Sequence, residues 1–214
     1  MTAAPGPRGG LESLEYWTRR TEELGARAVV NFHHPDDRDL EALTAEHRRV
    51  LLPALEALLD GSERVVCDLG CGAGRFTADL AALIGGRAIG VEPVAALRAL
   101  APRAPGVSYR GLRRDGRLPL FDDEADVVVT VTVLGGLVAE GELAATAAEV
   151  RRVLRPGGLV YLAESVSGSS SYEHWAARTV AAYRSAFPWA DLVEVAQFDD
   201  AGDPISVLAG RARA

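Results

Sequence analysis

The stretch from Val65 to Thr77, VVCDLGCGAGRFT, determines how the rest of the chain is interpreted. An apolar run ends at Asp68 and is followed by Gly70, Gly72 and Gly74. This order is typical of a buried strand, a glycine-rich turn and the start of a helix, where the backbone comes close to a ligand and offers it free N–H groups. The stretch therefore predicts a site for a nucleotide-like ligand, which could be a dinucleotide, a phosphate group or another molecule.

The spacing of these glycines differs from that of a dinucleotide site. The dinucleotide fingerprint is G-x-G-x-x-G, and its third glycine lets the helix pack tightly on the strand. Arg75 stands at that third position here, within the pattern D-x-G-x-G-x-G. Glu92 ends a second apolar run, where a carboxylate can accept hydrogen bonds from both hydroxyls of a ribose. A glycine turn that only served tight packing would not require Glu92 at this position.

Short β-branched runs alternate with alanine- and leucine-rich stretches around this site. The predicted strands are Arg64 to Leu69, Ala88 to Glu92, Val107 to Arg110, Asp126 to Val131 and Leu159 to Glu164. The predicted helices between them are Arg75 to Ile84, Val94 to Ala101 and Glu142 to Leu154. This alternation indicates an α/β fold with a Rossmann-like doubly wound sheet that is mostly parallel.

The two ends of the chain depart from this alternation. Leu11 to Val30 and Leu40 to Leu59 are predicted to be helices, as is Tyr172 to Phe187. Leu192 to Phe198 and Ile205 to Ala212 are predicted strands, and the short turn DDAGDP between them requires an antiparallel C-terminal hairpin. We divide the chain into a disordered tail (1–10), a helical N-terminal cap (11–60) and a Rossmann-like domain (61–214).

The composition excludes several kinds of chemistry. All 23 basic residues are arginine, so neither a P-loop lysine nor a Schiff base is available. The net charge of −7 disfavours nucleic acid as a partner. Cys67 and Cys71 have no partner at a ligand spacing, so we predict no metal site. No apolar run reaches the ~18 residues that span a bilayer, and MTAAPGPRGG lacks a signal core, so we expect a soluble, cytoplasmic protein.

Four motifs, in order and correctly spaced between Arg64 and Ser165, resemble those of class I S-adenosylmethionine-dependent methyltransferases. DLGCGAGRFT is similar to the first motif, VEP to the acidic ribose motif, RLPLFDDEADVVV to the strand after the adenine site, and EVRRVLRPGGLVYLAES to the last helix, turn and fifth strand. The resemblance implies that S-adenosylmethionine is the cofactor and that the reaction is a methyl transfer.

The resemblance also implies which residues hold the cofactor. Asp68 and the glycine-loop backbone would face the methionine part, and Glu92 would hold the ribose. Asp115 is the carboxylate nearest to the family's adenine-binding position, although Arg113 and Arg114 occupy the more usual spacing. The predicted cofactor-binding residues are Asp68, Gly70, Cys71, Gly72, Gly74, Glu92, Pro93, Asp115, Thr132, Tyr16 and Arg20.

The N-terminal helix and the histidines are the candidates for the acceptor side. Tyr16 and Trp17 either form a lid over the carboxyl edge of the sheet or pack their helix on the core. The family often carries a histidine after the fourth strand, but this chain has TVLGGL from Thr132 to Leu137, where two glycines leave room for a bulky acceptor. The candidate catalytic bases are His174, His33 and Glu164, with His34 as a further possibility and His47 expected to be exposed.

Several acceptor markers are absent from the sequence. There is no Asn-Pro-Pro-Tyr-type motif for base amines, no cysteine placed to attack a pyrimidine and no basic domain for RNA. We therefore expect methyl transfer to an oxygen or nitrogen of a small molecule, by a monomer or homodimer and with no membrane association. A peptide or protein N-methyltransferase, and a cofactor-binding protein that does not methylate, remain alternatives, while Arg75 disfavours a nicotinamide oxidoreductase.

Overall fold

The structure is a computed structural model that describes residues 10–31, 33–34, 39–167 and 174–213. Seven strands form one sheet in the order β3-β2-β1-β4-β5-β7-β6. The strands are β1 (Val65–Leu69), β2 (Arg87–Val91), β3 (Val107–Arg110), β4 (Ala125–Val131), β5 (Leu154–Ser165), β6 (Val193–Asp200) and β7 (Asp203–Arg211). The predicted disordered tail covers residues 1–9, which lie outside the described residues, and Gly10, which begins the first helix.

The first five strands are parallel, and β7 runs antiparallel to both of its neighbours. The predicted Rossmann-like sheet and its C-terminal hairpin are therefore confirmed. The chain moves outward from β1 to β3 and then returns to place β4 on the other side of β1. Such a reversal opens a crevice at the carboxyl ends of β1 and β4, which is where ligands bind in this class of sheet.

The described helices lie on both faces of the sheet and over its carboxyl edge. They are α1 (Gly10–Leu24), α2 (Leu40–Glu56), α3 (Thr77–Leu83), α4 (Ala95–Leu100), α5 (Glu142–Val153) and α6 (Val180–Ala186). No helix within the described residues combines the length and the apolar character that crossing a membrane requires.

The sheet separates two apolar cores, because parallel strands are covered on both faces. On one face, Val150 of α5 and Tyr183 of α6 are fully buried against the strands. On the other face, Leu55 of α2 and Leu80 of α3 do the same. Helix α2 therefore packs on the same core as the sheet, although the sequence assigns it to the N-terminal cap. The division at residue 60 stays a prediction.

Two helix boundaries differ from the prediction by more than three residues. The first helix ends at Leu24 because Gly25 adopts φ +57°, a left-handed conformation that terminates helices, and a 3-10 turn (Gly25–Val29) follows. The last helix begins only at Val180, where the Thr179 side chain accepts a hydrogen bond from the Ala182 N–H. Residues 174–179 are not helical.

Candidate active site

A cavity of about 270 Å³ lies at the carboxyl ends of β1 and β4. The glycine loop that follows β1 forms one side of it. Gly70 (φ +70°) and Gly72 (φ +54°) adopt left-handed backbone conformations, which favour glycine. A Cβ atom at Gly70 would lie 2.5 Å from Val133, and one at Gly72 would lie 2.7 Å from Val29. The loop therefore needs glycine for its backbone and for its close packing.

Asp68 lies at the floor of this cavity, near the end of β1. Its side chain is 3% exposed, and Oδ2 accepts a hydrogen bond of 2.5 Å from the Thr77 hydroxyl at the start of α3. Burial raises the pKa of this carboxyl to about 6, against the opposing effect of that hydrogen bond. The helix that follows the loop thus fixes the orientation of the acid.

Glu92 lies directly after β2 and lines the same cavity. Its two oxygens accept hydrogen bonds from the backbone N–H groups of Gly72 (3.0 Å) and Val94 (2.8 Å). Burial raises the pKa of Glu92, while these two bonds favour its charged form. Each carboxylate oxygen has a second lone pair, so this fixed acid can still accept hydrogen bonds from a ligand.

The remaining walls of the first cavity come from separate parts of the chain. Ser13, Leu14 and Trp17 of α1 cover it from above. Val131 ends β4, and Thr132 and Val133 follow that strand. Pro93, Val94, Leu97 and Leu112 form an apolar end. Cys71 also lines it and is buried. Asp115 lies elsewhere, with its side chain half exposed and one oxygen accepting from the Arg117 N–H. Among the predicted cofactor residues, Asp115, Tyr16, Arg20 and Gly74 are not in the lining of this cavity.

A second cavity of about 650 Å³ adjoins the first. The two cavities share Trp17, Val29, Thr132 and Trp175 as lining residues. Thr132 adopts φ +53°, which is rare for a β-branched residue, and this conformation places it between the two spaces. The other lining residues come from α1, from Val30, Asn31 and His33, from the end of β5 and the residues after it, from His174, and from the β6–β7 turn and the start of β7.

The space beside the two glycines after β4 is filled, contrary to the expectation that it suits a bulky acceptor. A Cβ atom at Gly135 would lie 2.3 Å from Cζ2 of Trp175, so the indole occupies that space. The Ala176 N–H donates to the Gly135 carbonyl (2.8 Å), which holds the segment in place. Gly136 faces Trp17, whose Nε1 atom would be 3.7 Å from an added Cβ. Aromatic side chains therefore close this end of the site.

The candidate bases lie in different surroundings. His174 lines the second cavity and stacks on Tyr16 of α1, with ring centroids 3.9 Å apart. Its Nδ1 atom is buried and has no hydrogen-bond partner among the described residues. His33 lines the same cavity and is exposed. The structure thus brings Tyr16, His33 and His174 to one pocket.

Glu164 lies outside the lining of both cavities. Its side chain is fully buried, and it accepts hydrogen bonds from the Thr130 hydroxyl and from the N–H groups of Val133 and Leu134. Burial raises the pKa of Glu164 to about 7, although these three bonds favour the carboxylate. The carboxyl therefore holds the loop after β4 rather than facing an acceptor.

His47 is buried, which corrects the expectation of an exposed residue. The Nε2 atoms of His34 and His47 lie 2.6 and 3.1 Å from Oδ1 of Asp200. The guanidinium of Arg75 contacts Nδ1 of His47 at 3.3 Å. Burial alone raises the pKa of Asp200, but the two histidines outweigh it and lower the value to about 2. In the part of the chain that the structure describes, no group of three or more histidine, cysteine, aspartate or glutamate side chains is arranged to hold a metal ion.

Arg20 supports the segment that follows its own helix. Its guanidinium donates to the carbonyl oxygens of Ala28 (2.8 Å) and Val30 (3.3 Å), and it lines the second cavity rather than the first.

Four residues that line the second cavity were not predicted as site residues from the sequence: Asn31, Trp175, Asp200 and Asp203. The only sequence signal for the two acids was the turn DDAGDP, which was assigned to the hairpin alone.

Comparisons with known proteins agree with this geometry. Residues 66–158 match a sequence family described as a methyltransferase domain. No curated protein sequence matches the chain. Among solved structures, a complex between the Haloferax volcanii Trm112 methyltransferase activator and a putative methyltransferase is similar, with 23% identity and a TM-score of 0.59 over 83% of this chain and 99% of that one.

Two further solved structures share the fold. The Haemonchus contortus phosphoethanolamine N-methyltransferase 1, bound to phosphoethanolamine and S-adenosylhomocysteine, has 15% identity and a TM-score of 0.65 over 95% of this chain and 49% of that one. A possible histamine N-methyltransferase from Thermotoga maritima has 20% identity and a TM-score of 0.55 over 81% of this chain and 98% of that one. At these identities the structures establish the fold alone.

Three observations together define a Rossmann-like methyltransferase domain. They are the order of the strands, the glycine loop hydrogen-bonded to Glu92, and the family match. This enzyme carries a methyltransferase domain, as its sequence motifs predict, and S-adenosylmethionine is its cofactor.

Proposed function

We propose that this enzyme transfers the methyl group of S-adenosylmethionine to an oxygen or nitrogen of a small molecule held in the second cavity. The observation that carries the proposal is the contact between the two cavities. Trp17, Thr132 and Trp175 line both of them, so a ligand in one space can meet a ligand in the other. The volume of about 650 Å³ lies within the usual range for small-molecule pockets, roughly 300–1,000 Å³.

The residues of the first cavity suit the cofactor in charge and shape. Glu92 offers a fixed carboxylate to the ribose hydroxyls, and the glycine loop brings backbone close to the ligand. Leu97 and Leu112 supply an apolar end for the adenine ring. Asp68 lies at the other end, where the methionine part carries an ammonium group. When bound, S-adenosylmethionine supplies an electrophilic methyl group on a sulfonium.

The protein contributes alignment and exclusion of water. Methyl transfer is an in-line displacement, and holding the nucleophile close to the methyl group supplies much of the rate. Helix α1 covers the first cavity through Leu14 and Trp17, and Trp175 closes it from the side of the second cavity. If the acceptor carries a proton that must leave, His174 is our first candidate to accept it, because its ring lines the second cavity. His33 is the second.

The size of the second cavity favours a small molecule over a folded protein. One protein of the same fold, the Haemonchus contortus phosphoethanolamine N-methyltransferase 1, is in complex with phosphoethanolamine, a small amine, which is consistent with this choice. A peptide whose terminus enters the cavity would be accommodated as well, so a peptide N-methyltransferase is the second outcome to test. A protein that binds the cofactor without methylating is the third.

The test measures cofactor binding and product formation separately. Calorimetry with S-adenosylhomocysteine should show binding, and small nucleophiles supplied with S-adenosylmethionine should release S-adenosylhomocysteine. Release with peptides and none with small molecules would favour the peptide alternative. Binding without release from any acceptor would refute the proposed reaction and favour a non-methylating role.

A further inference from the structure

We infer that the second cavity accepts a cationic amine with an apolar or aromatic body, so that the methyl acceptor is a nitrogen. This inference rests on the proposed function, because it treats that cavity as the acceptor pocket. It is supported by two carboxylates in the lining, Asp200 and Asp203, and by the fact that their side-chain partners are an asparagine and two histidines rather than arginines.

Both carboxylates are positioned by side chains other than arginine. Asn31 donates through Nδ2 to Oδ2 of Asp203 (2.8 Å) and to the backbone oxygen of Asp200 (2.7 Å). Within the described residues, no arginine forms an ion pair with Asp200 or Asp203. The chain pairs other carboxylates with arginine, as in Glu149 with Arg152. A buried or half-buried carboxylate without a paired cation gains strongly from a cationic ligand.

The histidines leave the negative charge of Asp200 largely in place. An arginine only donates hydrogen bonds, so Nδ1 of His47 must accept from Arg75 and its Nε2 carries the proton. His47 therefore donates from Nε2 to Oδ1 of Asp200. His34 donates to the same oxygen. No hydrogen bond to Oδ2 of Asp200 is found within the part of the chain that the structure describes.

The other charged and titratable groups of the cavity do not reverse this balance. Arg20 is the one guanidinium in the described lining, and it already donates to two backbone carbonyls. His33 and His174 are the two histidines of the lining. The lining of the second cavity contains the two carboxylates Asp200 and Asp203 in addition to Arg20. Arg75 contacts His47 and is not part of this lining. The fixed charge facing a ligand is thus negative when the histidines are neutral.

Aromatic side chains provide the rest of a cation site. Tyr16, Trp17 and Trp175 line the cavity. The faces of such rings attract ammonium groups and pack well against an apolar body. An acceptor with a carboxylate or phosphate would instead meet two like charges here, and a neutral alcohol would leave them without a counter-ion.

The chemistry requires the bound ammonium to lose one proton before it can attack. We assign that proton to the imidazole of His174, which lines the cavity. The nitrogen lone pair then forms the new N–C bond while the S–C bond breaks, and that electron pair stays on sulfur. The positive charge passes from sulfur to the methylated nitrogen, so atoms and charge balance.

The experiment compares three probes of similar shape on protein saturated with S-adenosylhomocysteine. Calorimetry measures the affinities of 2-phenylethylamine, 2-phenylethanol and phenylacetate. We expect the amine to bind about tenfold or more tightly than the alcohol, and phenylacetate to bind weakest. Asp203→Asn should remove most of the preference for the amine. Asp199→Asn is the matched control, since Asp199 is exposed on the same hairpin, accepts from Gly202 and is not in the cavity lining.

Each outcome decides the inference. Equal affinity for the alcohol, no binding of the amine, or the same loss in both variants would overturn it. If Asp203→Asn lowers the melting temperature, Asp200→Asn provides the second test with the same expected loss. Release of S-adenosylhomocysteine is measured in parallel with the amine. An amine preference without any release refutes the proposed methyl transfer but not the cation site, and release from alcohols alone refutes the amine inference but not methyl transfer.

Discussion

The exchange of Gly135 for alanine should strain the segment that carries Trp175. An added Cβ would lie 2.3 Å from Cζ2 and 2.4 Å from Cε2 of the indole. Carbon atoms normally approach to about 3.5 Å, so the ring must retreat by about 1 Å. Overpacking of this kind costs about 1–3 kcal/mol. A glycine-to-alanine exchange also stabilises by about 0.4–1 kcal/mol through the unfolded chain, and this gain partly hides the cost.

Gly136→Ala is the matched control, because its added Cβ would make only an ordinary contact of 3.7 Å with Trp17. The unfolded-state gain is the same in both variants and cancels in their difference. We therefore expect Gly135→Ala to be less stable than Gly136→Ala by about 1–3 kcal/mol. This corresponds to a melting temperature lower by roughly 2–12 °C in a chain of this size. Urea unfolding measures the difference, and equal stabilities within about 0.5 kcal/mol would refute the position given to Trp175.

Three further predictions concern single side chains. Glu92→Ala should weaken binding of S-adenosylhomocysteine by about 1–3 kcal/mol in calorimetry, because polar partners lose their acceptor; unchanged affinity would remove Glu92 from the ribose role. Since the pKa of Glu164 is raised from 4.5 to about 7, its contribution to stability is full below pH 4.5 and is lost as the pH rises to about 7. Glu164→Gln should remove this dependence, about 3 kcal/mol, from urea unfolding curves recorded across that range, and an unchanged pH profile would contradict the raised pKa. Arg20→Met should lower stability by about 1–2 kcal/mol through two lost hydrogen bonds, yet change the affinity for S-adenosylhomocysteine by less than about threefold; a larger loss would restore the predicted role of Arg20 in binding the cofactor.

The sheet could be predicted from the sequence because its signals are local. Buried parallel strands appear as short apolar runs such as Val65–Leu69, and the turn between β6 and β7 contains the glycine and acids that a hairpin needs. The glycine loop could be predicted for the same reason. The last helix was predicted too early because residues 174–179 are held by a contact with Gly135, about 40 positions away, rather than by their own helical preference.

The second cavity could not be predicted, because its lining comes from distant parts of the chain. Asn31 and Asp203 are 172 positions apart and meet only in the folded protein. His47 looked exposed because its neighbours in sequence are charged. Its actual partner, Asp200, is 153 positions away and compensates for burying the ring. Periodicity gives the face of a helix, but it does not show which partner a polar group will find.

The position of β7 in the sheet has a consequence for how the enzyme is made. β6 is synthesised before β7 but joins the sheet only through it, and β7 is the strand that covers the edge of β5. Until β7 has left the ribosome, the edge of β5 stays unpaired and β6 has no strand to pair with. Asp200 and Asp203 lie at the ends of these two strands. A nascent chain can therefore build the cofactor loop early, but its second cavity is completed only after the C-terminal hairpin has emerged.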